Sequence, residues 1–167
     1  MSILPTLFFG DDNMPTFKSV KELEKYLQEQ IMDSLKTDVA EETIELEKEH
    51  VKIDVYEKYN PTQYVRRKED GGLLDDKNYL VEEIENGIKI SNITRDNGYA
   101  TPSDPDRYIT PIVEHGVGYT WEYSKIYQKQ PYPRPFIEET RKDLKKGKLK
   151  EFMKKALEKR FGKGAVI

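Results

Sequence analysis

The 167-residue chain has no cysteine, one tryptophan and two histidines. Without cysteine there is no disulfide, no thiolate nucleophile and no cysteine-bound metal, which agrees with a reducing compartment without requiring one. The histidines, His50 and His115, lie far apart, and neither has a second ligand at the spacing of a His-Glu-x-x-His zinc site. A Gly-x-Ser-x-Gly elbow and a glycine-rich phosphate loop ending in lysine are also missing. Long apolar runs are scarce, and none approaches the roughly 18 residues that a membrane span needs. The apolar run at residues 3–9 has no basic residue before it and no small-residue cleavage site after it, so it does not read as a signal peptide. These absences lead us to expect a soluble protein that is not an enzyme and carries no metal and no cofactor.

The acidic groups do not reverse that expectation. Gly10, Asp11 and Asp12 spell a polymerase-like metal turn, but without a polymerase-sized domain around it a plain turn is the simpler reading. Glu82 with Glu83, and Glu138 with Glu139, are adjacent pairs whose side chains diverge on a strand or helix. The second pair suits the first turn of a helix, where the dipole favours negative charge.

A chain of this length fits one domain, and 36% hydrophobic against 35% charged residues implies a thin core. The net charge of −3 hides an asymmetry: residues 141–163 hold eleven Lys and Arg against three Asp and Glu, so the rest of the chain is strongly acidic. The basic segment reads either as a patch for DNA or an acidic partner, or as the solvated face of a terminal helix. A nucleic-acid-binding protein is therefore the alternative function. Against it, Phe152 and Phe161 fall at core positions of that helix, whereas stacking on bases needs exposed rings.

Organisation follows from periodicity and breakers. Ser19 and Glu22 have the spacing of a capping box. Val20, Leu23, Leu27, Ile31, Leu35 and Val39 then recur at three and four, an amphipathic helix that extends to about Asn60 and Pro61 with a break expected near Thr37 and Asp38. Gly71 and Gly72 make a turn ahead of a hairpin. A two-residue turn on Asn86 and Gly87 would set Glu83 and Glu85 opposite Ile90 and Ile88. A three-residue loop with Gly87 left-handed pairs Ile84 with Ile88 instead, and places Leu80, Ile84, Ile88 and Ile90 on one face. Residues 95–108 form a long loop. A short helix with Pro111 at its first position and Gly116 at its end follows. Prolines 131, 133 and 135 then stiffen the entry to a helix at Phe136, whose ring is expected between the last helix and the hairpin, with Arg134 held outward between two prolines. Gly147 interrupts, and a last helix presents Leu149, Phe152, Met153, Leu157 and Phe161 on one side. The expected architecture is α+β: a long N-terminal helix and C-terminal helices packed on a small antiparallel sheet. We divide the chain into an apolar arm at residues 1–16, one domain at 17–163 and a tail at 164–167.

The order "ITPIVEHG", an aromatic loop, "YPRPFIEETRKDL" and a lysine-rich helix resembles the C-terminal half of the neck proteins of tailed bacteriophages, the minor tail-component or tail-completion family. Glu114, Gly116, Arg134, Pro135 and Phe136 match, and "YVRRKEDGGLL" at residues 64–74 resembles relatives from phages and prophages of Gram-positive hosts. The resemblance covers about residues 17–161. His115 stands where that family has an aromatic, and the arm lies outside its pattern. The resemblance implies a structural virion protein that joins head connector to tail as part of a homo-oligomeric ring. It also implies a place in the neck, assembly in the host cytoplasm, and contacts with the connector and with tail-tube or tail-terminator proteins. DNA would pass nearby without specific binding, and no membrane is involved. The residues we expect at protein interfaces are Leu4, Leu7, Phe8 and Phe9 of the arm, Tyr99 in the long loop, and Arg134.

Overall fold

The computed structural model describes residues 15–61, 65–96, 107–117 and 132–163. Helix α1, Val20–Ser34, begins where the capping signal places it. Ser19 Oγ accepts from the Glu22 amide at 3.2 Å, and the Glu22 carboxylate accepts from the Lys18 amide at 2.8 Å, one residue earlier than in a capping box. The break expected near Thr37 is instead a π turn, Leu35–Val39, leading without interruption into α2, Ala40–His50, and a second π turn, Val51–Tyr56. Leu23, Leu27, Ile31, Leu35 and Val39 are spaced by four, which drifts about 40° per step on a 3.6-residue helix; the wider π turn absorbs part of that drift. Beyond the helix, Arg66 stacks over the Tyr56 ring at 4.9 Å and donates to the Tyr56 carbonyl at 2.8 Å, turning the chain back.

Strands β1, Tyr79–Ile84, and β2, Gly87–Asn92, form a two-stranded antiparallel sheet. The helices pack on it, and the fold is α+β. The register corrects the sequence reading. Ile84 faces Gly87 and Glu83 faces Ile88, so the turn is Glu85 and Asn86, and Gly87 is the first residue of β2. Val81, Ile88 and Ile90 therefore share the inner face with Tyr79 and Asn92, while Leu80 and Ile84 point out and are exposed. Glu83 falls on the same face and pairs, largely exposed, with Lys36 of the first π turn.

Among the described residues, two clusters form the core. One joins Val51, Val55, Leu73, Leu74, Val113 and Phe136; the other joins Val39, Leu46, Phe152 and Ala156. Phe136 is fully buried, as its position predicts, but among Val51, Val55, Leu73, Leu74 and Val113 rather than between last helix and hairpin. Helix α3, Ile109–His115, has Pro111 in its first turn, two places later than expected, and ends at Gly116. Helix α4, Phe136–Asp143, and helix α5, Leu149–Phe161, are separated at Gly147, whose φ of 139° is not helical.

Candidate protein interface

The motif residues at 114–116 and 134–136 meet in one place. The α4 start has free backbone amides at its second and third positions, and its flanking residue, Pro135, has no side chain to accept from them. Glu114 of α3 supplies the acceptors from elsewhere in the chain: its carboxylate takes the Ile137 amide at 2.9 Å and the Glu138 amide at 3.0 Å. A negative charge at this end also suits the helix dipole. Gly116 lets the two segments close. Its φ is 65°, and a Cβ there would stand 2.4 Å from the Pro133 nitrogen, closer than any side chain permits. The Arg134 amide donates to the Val113 carbonyl at 3.0 Å, completing the clasp, and Phe136 plugs the core beneath it. Arg134 itself is half-buried in this junction rather than held fully outward.

Beside the clasp lies a polar centre. Asn92 donates to the Leu73 carbonyl at 3.1 Å, and its side-chain oxygen accepts from the Thr94 hydroxyl at 2.5 Å and the Thr110 hydroxyl at 3.2 Å. Tyr79 donates to the same Leu73 carbonyl at 3.0 Å. Glu47 of α2 is 6% exposed at this centre. Burial pushes its carboxyl up to about 7, against the pull of the neighbouring Asn92 amide; Glu114 adds repulsion, and Arg141 and His50 attract. The sequence gives no sign of Glu47's position, because one more glutamate in a charged helix looks like its neighbours.

The other titratable candidates are structural. His50 Nδ1 lies 3.0 Å from Asp54 and Nε2 lies 3.3 Å from Asp143, which links the long helix to α4. His115 occupies the last position of α3. Among the described residues no group of three or more His, Cys, Asp or Glu could hold a metal ion, and no helix is long and apolar enough to cross a membrane. Glu82 pairs with Lys89 across the hairpin, and Glu139 pairs with Lys142 one turn on.

Three cations of the basic segment reach acidic side chains of the long helix. Lys155 pairs with Glu42, Lys159 with Asp38 at 2.5 Å, and Arg160 with Asp33 at 2.6 Å and Asp38 at 3.7 Å. The acidic and basic ends of the sequence thus complement each other where α5 lies along α1 and the first π turn.

Among the described residues α1 is little covered, and only its last residue, Ser34, is buried. Val20, Leu23, Leu27 and Ile31 are 68%, 38%, 37% and 38% exposed and form one apolar stripe. The periodicity announces this stripe but carries no information about whether anything covers it. Of the residues expected at interfaces, Leu4, Leu7, Phe8, Phe9 and Tyr99 lie outside the described residues, as do Gly10, Asp11 and Asp12, and Arg134 lies in the clasp.

The model of one protein family, YomN, matches residues 19–159. The SPbeta prophage-derived uncharacterized protein YomN of Bacillus subtilis (strain 168) is 28% identical over 143 residues, covering 84% of this chain and 93% of that protein. No solved structure gives a significant match.

Proposed function

The chain belongs to the YomN family, and from that premise we propose that it is a structural, non-enzymatic virion protein of the phage neck that joins head connector to tail within a homo-oligomeric ring. The family has a prophage-derived member in a Gram-positive host, so a phage origin is the ground on which the finer reading rests.

One observation carries that reading. The five residues by which the sequence resembles neck proteins, Glu114, Gly116, Arg134, Pro135 and Phe136, are scattered over 23 positions yet assemble into a single clasp that joins the end of α3 to the start of α4. A motif whose parts serve one architectural purpose supports a protein whose work is to hold a shape. Among the described residues the remaining polar clusters link elements, with one Glu47 oxygen buried and without a hydrogen-bond partner, and none combines a nucleophile with a base and a cleft. The nucleic-acid alternative draws less support, because Lys155, Lys159 and Arg160 are engaged with acidic side chains of the same chain.

The partners in this reading are a second copy of the chain, the head connector, and the tail-tube or tail-terminator protein; the place is the virion neck, after assembly in the host cytoplasm. The test is to delete the gene from an inducible lysogen and image the lysate. Full heads and finished tails that fail to join, rescued by adding the purified protein, are the expected result. Normal particles without the protein, or particles in which labelled protein is absent from the neck, would overturn the proposal.

A further inference from the structure

Two buried carboxylates act on each other between α2 and α3. Glu114 has a donor for each oxygen, the Ile137 and Glu138 amides. Glu47 does not: among the described residues its Oε1 is buried without a hydrogen-bond partner, and the neighbouring Asn92 amide donates to the Leu73 carbonyl. A carboxylate stripped of water and short of donors is far costlier than the neutral acid, so in the closed structure Glu47 carries a proton.

The groups that face Glu47 would load the clasp unequally if that proton left. Glu114 on α3 repels a negative charge there, whereas Arg141 on α4 and His50 on Glu47's own helix attract it. Both cations are already shared, His50 with Asp54 and Asp143, and Arg141 with Glu138 at 3.8 Å. The hairpin offers the uncharged Asn92 and the Tyr79 hydroxyl, which burial and then the charge of Glu47 keep from ionising. An ionised Glu47 thus pushes α3 and pulls α4. The bonds from Glu114 to the α4 amides join those two helices, so the opposed forces fall on them.

We propose that Glu47 is a proton-operated latch on the clasp: its neutral form seals the junction of α2, α3 and α4, and its ionisation frees the α4 amides from Glu114 while the rest of the chain stays folded. The device belongs to the fold and stands apart from the neck reading. Burial holds the Glu47 carboxyl up at about 7, against an ordinary 4.5. Once the junction opens and water reaches the group, it returns toward the ordinary value. Opening therefore becomes easier as pH rises from about 5 and levels off above about 7, a gain on the order of 100-fold.

Native-state hydrogen exchange of the full chain, read by NMR, tests the latch. In low urea the Ile137 and Glu138 amides should exchange through an opening that urea does not promote, while the Phe152 and Ala156 amides of α5 follow global unfolding and speed up with urea. After correction for intrinsic rates, the local opening should grow on the order of 100-fold between about pH 5 and 8 in the wild type and stay flat in Glu47→Gln. The Glu47 carboxyl carbon shift should give a lower titration midpoint in Glu114→Gln, which lacks the facing charge. Ile137 and Glu138 exchange that rises with urea as steeply as that of α5 would mean that the clasp opens only when the molecule unfolds. A local opening that ignores pH, a pH dependence that survives in Glu47→Gln, or a Glu47 midpoint unmoved in Glu114→Gln would show that Glu47 does not drive the opening. Any of these outcomes overturns the inference.

Discussion

Glu47 sits at the centre of the molecule, on the side of α2 that faces Asn92 and Glu114, with little water around it. In the folded chain it keeps its proton to about pH 7, against an ordinary value of 4.5. The folded state therefore binds the extra proton between those values, and stability is full below about 4.5 and declines as pH rises through 7. The displacement corresponds to about 3 kcal/mol at the alkaline end. Urea midpoints of the wild type should fall between about pH 5 and 8 relative to those of Glu47→Gln, which mimics the protonated acid. Parallel curves for the two proteins would show that Glu47 ionises freely in place. Glu114, the next-to-last residue of α3, makes a different contribution, because its oxygens hold two amides at once. Glu114→Ala leaves both amides without acceptors and should cost about 1 to 3 kcal/mol, whereas Glu114→Gln, with one acceptor oxygen, should cost less. Equal costs for the two changes would mean that the loss lies in packing rather than in the cap.

At the scale of elements, α5 is fastened to the long helix in two ways. Phe152 and Ala156 bury against Val39 and Leu46, and outside them Lys159 and Arg160 bond Asp38. The Lys159 hydrogen bond holds the Asp38 carboxyl below its ordinary value, although slight burial opposes it. The Lys159 side chain is nonetheless largely exposed, and pairs of this kind contribute little in water. Asp38→Asn should therefore cost less than about 1 kcal/mol, with the difference shrinking in high salt. Phe152→Ala should cost about 3 to 5 kcal/mol at any salt concentration. Calorimetry or denaturant titration of the pair would decide whether apolar contact or charge fastens the helix, and an Asp38→Asn loss as large as that of Phe152→Ala would reverse the ranking.

For the whole molecule, the core is one-sided. Both clusters draw on the helix from Val39 onward, and the stretch before it carries apolar side chains that are partly exposed among the described residues. Leu23→Ser with Leu27→Ser should leave the monomer's stability within about 0.5 kcal/mol, while Leu74→Ala, in the buried cluster, should cost about 2 to 5 kcal/mol. A large loss from the double serine change would place the α1 stripe in the chain's own core.

Much of this architecture was legible in the linear pattern, because local physics decides it. The Ser19 cap, the amphipathic long helix, the Gly116 stop and the Gly147 interruption depend on spacing and on the backbone freedom of particular residues, and those are properties of short stretches. Even the burial of Phe136 followed from its stiff entry. Other features required the chain to close on itself. Periodicity favours the tidier apolar face, whereas the folded hairpin turns Tyr79 and Asn92 inward, where both reach the Leu73 carbonyl supplied by another segment. Phe136 found Val51, Val55 and Val113 for the same reason: which cluster receives a buried ring depends on how helices cross. The sequence by itself determined where the apolar groups recur and where the backbone can turn. Only the tertiary structure decided which acidic residues became a cap, an ion pair or a buried acid, since a carboxylate's role is set by the neighbours that distant segments bring to it.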